Sequence, residues 1–260
     1  MKVVMIGSGN VATVLGGKIV AAGHEMLQVV ARRRESAALL AGEWGCGYTR
    51  QWEEIDRAAD IYIVAISDRG LEQIGEILSL PGRLVVHTAG AVALSALLPV
   101  SAHCGVLYPL QSLKAAVRPF PEIPLLVDAY RPEDLLVIEA FAATLSRQVR
   151  RADDSDRLKL HLGGVVVNNF SNFLYTLTDE FCRREGVDFS LLQPIIRETA
   201  GRISHFAPRD MQTGPAVRGD KSTCERHLKL LSNYETMKEL YNIFTIKIEE
   251  YYGVGEIPAS

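Results

Sequence analysis

Two groups of residues in this chain have types and spacings that could do chemistry. The turn Gly7-Ser8-Gly9-Asn10-Val11-Ala12 carries small residues where a diphosphate would need them. Gly7 permits a tight turn, Gly9 removes a Cβ from the path of the phosphates, and Ala12 lets a helix pack closely on a strand. Backbone N–H groups at the start of that helix would then face the anion, with Ser8, Asn10 and Val11 beside it. Farther on stands Ala31-Arg32-Arg33-Arg34, followed by Ser36, where a ribose-binding site for NAD would carry Asp or Glu. Arginine instead suits a free 2′-phosphate, through charge-assisted and often bidentate bonds. Arg32, nearest the strand end, and Arg33 are the main candidates, and the expected cofactor is NADP(H).

The second group is suited to moving protons and orienting polar ligands. It comprises His87, Gln111, His161, Asn168, Asn169 and Asn172. Either histidine could be an acid/base group, and His87 could equally be a buried structural histidine. On an α-helix, His161, Asn168, Asn172 and Tyr175 share a face, with Asn169 at its border. Buried amides need partners, so this face lines either a polar crevice or a structural network between helices.

The elements that must hold these residues follow from hydrophobic pattern. Val3 to Ile6 reads as a strand, Val11 to Ala22 as a helix and Met26 to Ala31 as a second strand. A helix over Glu35 to Glu43 follows, with a short strand near Tyr48. Asp60 to Ile66, Leu84 to His87 and Val106 to Tyr108 are apolar runs of the kind buried inside a parallel sheet, separated by stretches read as helical. Ligands gather at the carboxyl ends of such strands. Ser67, Thr88 and Ala89 are therefore expected on the cofactor, and His87 and Gln111 toward the nicotinamide or substrate. Leu125 to Val127 and Gln148 to Arg151 read as further strands flanking a helix from Pro132 to about Leu145.

From Asp156 onward no convincing strand appears. A long helix is expected to run to about Arg184 and stop at Gly186. Ser190 with Gln193, and Ser222 with Glu225, have capping-box spacing, and a last helix spans about Tyr234 to Tyr252. The predicted fold is α/β, a Rossmann-type mostly parallel sheet followed by an all-helical C-terminal domain. The expected division is 1–153 for the NADP(H)-binding domain and 154–260 for a helical substrate and dimerisation domain. The loop Gln212 to Asp220 is a plausible binding loop, in which Arg218 could hold a carboxylate or pair with Asp220.

Composition narrows the classes. With 260 residues, 48% hydrophobic and 23% charged, the chain has ample apolar content for real cores. A formal charge of −3 gives no bulk reason to bind nucleic acid or an anionic membrane. No apolar run approaches the roughly 20 residues of a membrane span, and Met1-Lys2 leads straight into a strand, so a cytoplasmic protein is expected. Cys46, Cys104, Cys182 and Cys224 are widely spaced and form no CxxC, which suggests structural thiols and no metal site.

Several segments carry a resemblance: GSGNVA at Gly7 to Ala12, HTAG at His87 to Gly90, YPLQS at Tyr108 to Ser112, NFSNFLY at Asn169 to Tyr175, and QTGPAVRGD at Gln212 to Asp220. The chain resembles the Rossmann-like, DUF2520-containing NADP oxidoreductase family, within the wider group of pyrroline-5-carboxylate reductase, ketopantoate reductase and 6-phosphogluconate dehydrogenase. The resemblance implies a cofactor-binding N-terminal domain and a helical C-terminal domain through which two copies dimerise. Some of the wider group use a lysine and an asparagine one helical turn apart. Here Lys159 is followed at that spacing by Gly163, so His161 or His87 is the better acid/base candidate, with Asn169, Asn172 and Gln111 orienting an unidentified small substrate. The expected activity is hydride transfer to or from a small carbonyl, hydroxyl or imine compound at the interdomain cleft. The alternative is a non-catalytic NADP(H) sensor or scaffold.

Overall fold

In the computed structural model, residues 1–254 are described. They group into two compact units, Met1–Asn169 and a second that begins at Phe170. The first is built on a sheet of eight strands: β1 (Lys2–Ile6), β2 (Glu25–Val30), β3 (Gly47–Thr49), β4 (Ile61–Val64), β5 (Leu84–His87), β6 (Cys104–Pro109), β7 (Leu125–Ala129) and β8 (Val149–Arg151). Their order is β3-β2-β1-β4-β5-β6-β7-β8. The first six are parallel, β7 runs antiparallel to β6, and β8 is parallel to β7.

The apolar runs form strands because both of their faces are covered. Val3, Met5, Ile61, Ile63 and Val86 face a core closed by α1 (Asn10–Ala21), α2 (Arg34–Trp44) and α4 (Pro132–Leu145). Val4, Ile6, Tyr62, Val64 and Val85, one residue out of phase, face a second core with Leu71, Ile74 and Leu97. Each fully buried Val or Ile contributes roughly 1.5–3 kcal/mol of transfer free energy, so alternate residues hold opposite layers together. The second layer is thinner in helix than the sequence suggests. After β4 come only α3 (Asp68–Glu72) and a 3-10 turn, and between β5 and β6 only the 3-10 turn Leu94–Leu97. Apolar contact, more than regular helix, closes that face.

Register aligns the strand ends. Thr49 pairs with Val30, Val30 with Ile6, Ile6 with Val64, Val64 with His87, and His87 with Val106. Five strands therefore end on one row, and their exit loops leave from a common edge. Helix α5 (Asp154–Gly164) follows β8 and continues into a π-helical segment, Val165–Phe170. The latter interrupts the long helix read from the sequence. A π segment turns less per residue than an α-helix, so the α-helical phase that placed His161 and Asn172 on one face does not carry across it.

The second unit contains α6 (Ser171–Glu185), α7 (Gln193–Arg202), α8 (Lys221–Leu230) and α9 (Glu235–Tyr252), joined by 3-10 turns. Helix α6 stops where expected, at Gly186 with φ of +71°. Its successors are capped differently from expectation. Asp188 caps the turn before α7 by accepting from Ser190 N, and Asp220 caps α8 by accepting from Thr223 N at 3.0 Å. Two carboxylates thus replace the expected Ser190 and Ser222 caps, and a negative charge suits the helix N-terminus better than a hydroxyl. Among the described residues, no helix is long and apolar enough to cross a membrane.

Candidate functional site

The exit of β1 explains the first glycine. Gly7 has φ of +128°, and a Cβ there would lie 2.1 Å from the Ala65 carbonyl oxygen at the exit of β4. No side chain can be accommodated against that fixed backbone. Gly7 N donates to Val30 O at 2.8 Å, tying the turn to β2 as well. Gly9 is the N-cap of α1 and offers no side-chain cap, so the first-turn N–H groups have no side-chain acceptor. A Cβ on Gly9 would meet nothing within 4 Å. This turn is therefore open and rich in donors, and it fits a diphosphate. Ser8 Oγ bonds Ser36 Oγ at 2.8 Å, and Asn10 Oδ1 accepts from Ala115 N at 3.0 Å. Asn10 thereby fastens the segment after β6 to the start of α1, while Val11 is half-buried behind it.

Arg32 and Arg33 are exposed at the adjoining exit of β2. The Arg33 carbonyl, at the N-cap of α2, accepts from Ser36 Oγ at 3.2 Å, so Ser36 links the two loops. The structure adds Arg50, which follows β3 and donates from Nε to Arg32 O at 3.0 Å. Sequence pattern gave no reason to select Arg50. It becomes a neighbour of Arg32 only because β3 pairs with β2.

The exits of β4, β5 and β6 carry the other candidates. Ser67 caps α3, accepting from Gly70 N at 3.4 Å. Thr88 donates from N and from Oγ1 to Val64 O at 3.2 and 3.4 Å, binding the β5 exit to β4. Ala89 N donates to His87 Nδ1 at 3.2 Å, so the ring hydrogen of His87 lies on Nε2. That atom is buried without a partner among the described residues. His87 has no exposed surface. Burial, with the Arg157 cation nearby, pushes its pKa down to about 4, and it is neutral near neutral pH.

His161 lies differently. It is half-buried on α5, and its Nδ1 is 2.9 Å from the Tyr108 hydroxyl at the end of β6. Its ring presses on Gly90, where a Cβ would come within 2.6 Å of Nδ1. Burial pushes the Tyr108 phenol pKa up, partly opposed by Arg157, and so keeps it protonated. The HTAG and YPLQS segments thus meet through one imidazole. Tyr108 and Gly90 were visible as motif members but not as partners of His161. The usable signal was Tyr108's position two residues beyond Val106, which pairs with His87.

The amides are not gathered at this pair. Gln111 is exposed and its Oε1 accepts from Ser112 N at 2.9 Å. Asn168 Nδ2 donates to Asn169 Oδ1 at 3.4 Å within the π segment. Asn172 is exposed on α6, in the second unit. Arg218 is also exposed, with no ion pair among the described residues, while Asp220 is committed to capping α8. Cys104, Cys182 and Cys224 are buried free thiols and Cys46 is half-buried.

A mostly parallel sheet with a glycine turn and a bare helix N-terminus at its switch point defines the class, a Rossmann-type fold. Residues 2–90 match the family model described as NADP oxidoreductase, coenzyme F420-dependent, and residues 123–248 match DUF2520, a domain of unknown function. A candidate NADP oxidoreductase from Bacteroides fragilis is 34% identical over 96% of this chain and 98% of its own, with a TM-score of 0.88. The chain belongs to this DUF2520-containing Rossmann-fold family, related to the NADP oxidoreductases. A Thermotoga maritima protein, 18% identical with a TM-score of 0.77 over 96% of this chain and 99% of that one, shares the fold. So does an Aspergillus terreus reductive aminase, solved with NADPH and ethyl levulinate, at 16% identity and a TM-score of 0.71 over 97% and 95% of the two chains. No functionally curated protein matches.

The burial of His87 generates a pH-dependent prediction. The unfolded chain protonates this histidine near its ordinary 6.5, the folded one only near 4. Stability is therefore lost as pH falls from the first value toward the second, by about 2 kcal/mol at about pH 4.5. His87→Asn supplies an oxygen to accept from Ala89 N without the titration. Urea unfolding at about pH 7 and about pH 4.5 should show that loss in the native chain and a loss smaller by about 2 kcal/mol in the variant. Equal losses would contradict the assignment.

Proposed function

We propose that this protein is an NADP(H)-dependent oxidoreductase acting on a small carbonyl, hydroxyl or imine compound. The observation that carries the reading is the placement, on one edge of one sheet, of an open glycine turn and a Tyr108–His161 pair. Gly7, Ser8, Gly9, Asn10 and Val11 would hold the diphosphate through the turn and the α1 N-terminus. Arg32 and Arg33 would hold the 2′-phosphate, with Ser67, Thr88 and Ala89 along the remainder. The cofactor, when bound, supplies or accepts the hydride.

The chain's own task is then to move one proton. His161 as imidazolium gives the proton on Nε2 to the carbonyl oxygen or imine nitrogen as the hydride reaches the carbon, and keeps the one on Nδ1, donated to the Tyr108 oxygen. Tyr108 does not ionise in this step. It fixes the ring so that the proton leaves from one nitrogen only. Buried and neutral, His87 serves this reading as a support for the β5 exit, and proton transfer falls to His161. Gln111 and Asn169, which lie in the same unit as the pair, would orient substrate.

The test is NADPH consumption across a panel of keto acids and cyclic imines. With any substrate turned over, Tyr108→Phe should lower kcat about a hundredfold through lost orientation. His161→Gln should lower it by about 10²- to 10⁴-fold. Turnover unaffected by either change would refute the mechanism, and cofactor binding without turnover would favour the sensor or scaffold alternative.

Cofactor choice has its own check. Arg32→Asp removes a phosphate partner and adds a ribose partner, so NADPH affinity should fall about ten- to a hundredfold while NADH affinity changes little. Fluorescence titration with both nucleotides measures this, and equal losses would sink the assignment.

We further propose that two copies associate through the helical unit. Among the described residues, only Cys182, Ala216, Cys224 and Leu231 are buried hydrophobics there, whereas Leu191, Ile195 and Phe206 are 76%, 60% and 56% exposed. Large apolar side chains exposed to this extent point to an interaction site, and a self-complementary patch gives a closed dimer. Sedimentation at micromolar concentration should return twice the chain mass of 28.6 kDa. Leu191→Asp should move the equilibrium toward the monomer, and a wild-type chain that stays monomeric would defeat the proposal.

A further inference from the structure

Asp154, Arg157 and His161 lie on one face of α5, and each engages the segment that leaves β5. Asp154 Oδ1 and Oδ2 accept from Leu94 N at 3.0 and 3.2 Å. Arg157 Nη2 donates to Val92 O and to Asp154 Oδ1, both at 2.6 Å. The His161 ring packs on Gly90. As the helix advances from 154 to 157 to 161, its contacts step backward from 94 to 92 to 90. Helix and segment are joined antiparallel, in a defined register.

The dimensions agree. Seven residues of α-helix rise about 10 Å, and four residues of extended chain span at most about 13–14 Å. The segment, which bends at residues 90–92, is long enough to follow the helix. A slip of one residue along α5 would displace His161 by about 1.5 Å and rotate it by about 100°, which would remove Nδ1 from Tyr108.

Arg157 is an expensive way to make such a join. It is 1% exposed, and its Nε and Nη1 have no partner among the described residues. Buried ion pairs add little or nothing to stability compared with apolar packing, and their best-attested use is to fix register. The bonds to Val92 O and Asp154 do that here, because a planar guanidinium holds its partners in one direction.

We infer that Asp154 and Arg157 are positioning residues, which lock α5 to residues 90–94 and thereby hold the His161 imidazole on Tyr108. The inference rests on the proposed role of that pair, but the locking can be tested without turnover. Long-range ¹H–¹⁵N NMR of the ligand-free full chain reads the ring nitrogens of His161, assigned through His161→Gln. Tyr108→Phe supplies the reference shift for a lost Nδ1 contact.

Arg157→Met should move the Nδ1 resonance to that reference in a folded protein. Arg157→Lys, able to reach Val92 O or Asp154 without the fork, should give an intermediate shift. A folded Arg157→Met chain with the wild-type Nδ1 shift would overturn the inference while leaving the Tyr108–His161 reading intact. Should Arg157→Met fail to fold, Asp154→Asn and Arg157→Lys decide it, since wild-type shifts in both would overturn it. An Nδ1 that does not respond to Tyr108→Phe would instead dismiss the pair itself, and the inference with it.

Discussion

The backbone of β1 and the backbone of β4 come so close at Gly7 and Ala65 that no Cβ fits between them. This approach is the constraint on which the nucleotide half of the site depends. Neighbouring parallel strands here send their chains in opposite directions, β1 toward β2 and β4 toward β5. The crevice opens where those directions part. A side chain at position 7 would push the strands apart, lift the turn from Val30 O and move the N-terminus of α1. The common row from Thr49 to Val106 then converts one local approach into a whole edge, because strand ends that share a register place their exit loops side by side.

Charge divides that edge in two. Arg32, Arg33, Arg34 and Arg50 stand at the β2 and β3 exits, a local concentration of cations in a chain whose net charge is −3. Beyond the switch, at β5 and β6, the polar groups are neutral or paired. His87 is neutral through burial, Tyr108 is kept protonated, and Arg157 is joined to Asp154. An anion is favoured on the first side by position-specific charge, whereas the second side is organised by hydrogen-bond geometry. Such a division suits a ligand whose phosphates and reactive end make different demands.

Much of this was legible in the sequence, for physical reasons that differ by element. The strands β1, β4 and β5 are short β-branched runs buried on both faces, a pattern with few other solutions. The glycine turn was readable because only glycine tolerates its φ and its close approach. Local signals failed where two groups competed for one task, as when Asp188 and Asp220 took the caps expected of Ser190 and Ser222. They failed again for contacts between residues far apart in the chain. Arg50 on Arg32, and Gly90 and Tyr108 on His161, are consequences of strand pairing and helix docking, which no short window encodes. The π segment was hidden for another reason, since VVVNNF has no residue that dictates a wider turn.

That segment bears on how the work is shared between the two units. It covers the stretch in which the chain leaves the first unit and enters the second. Upstream, α5 is held to the segment that leaves β5 by a salt-bridged arginine, a carboxylate accepting from Leu94 N and a ring seated on glycine. Downstream, the helices of the second unit bury few of their own hydrophobics. A packed register resists sliding, and the wider π turn begins only after the residues that make those contacts. Tyr108 and His161 both lie on the locked side. Their mutual geometry is therefore set within the first unit.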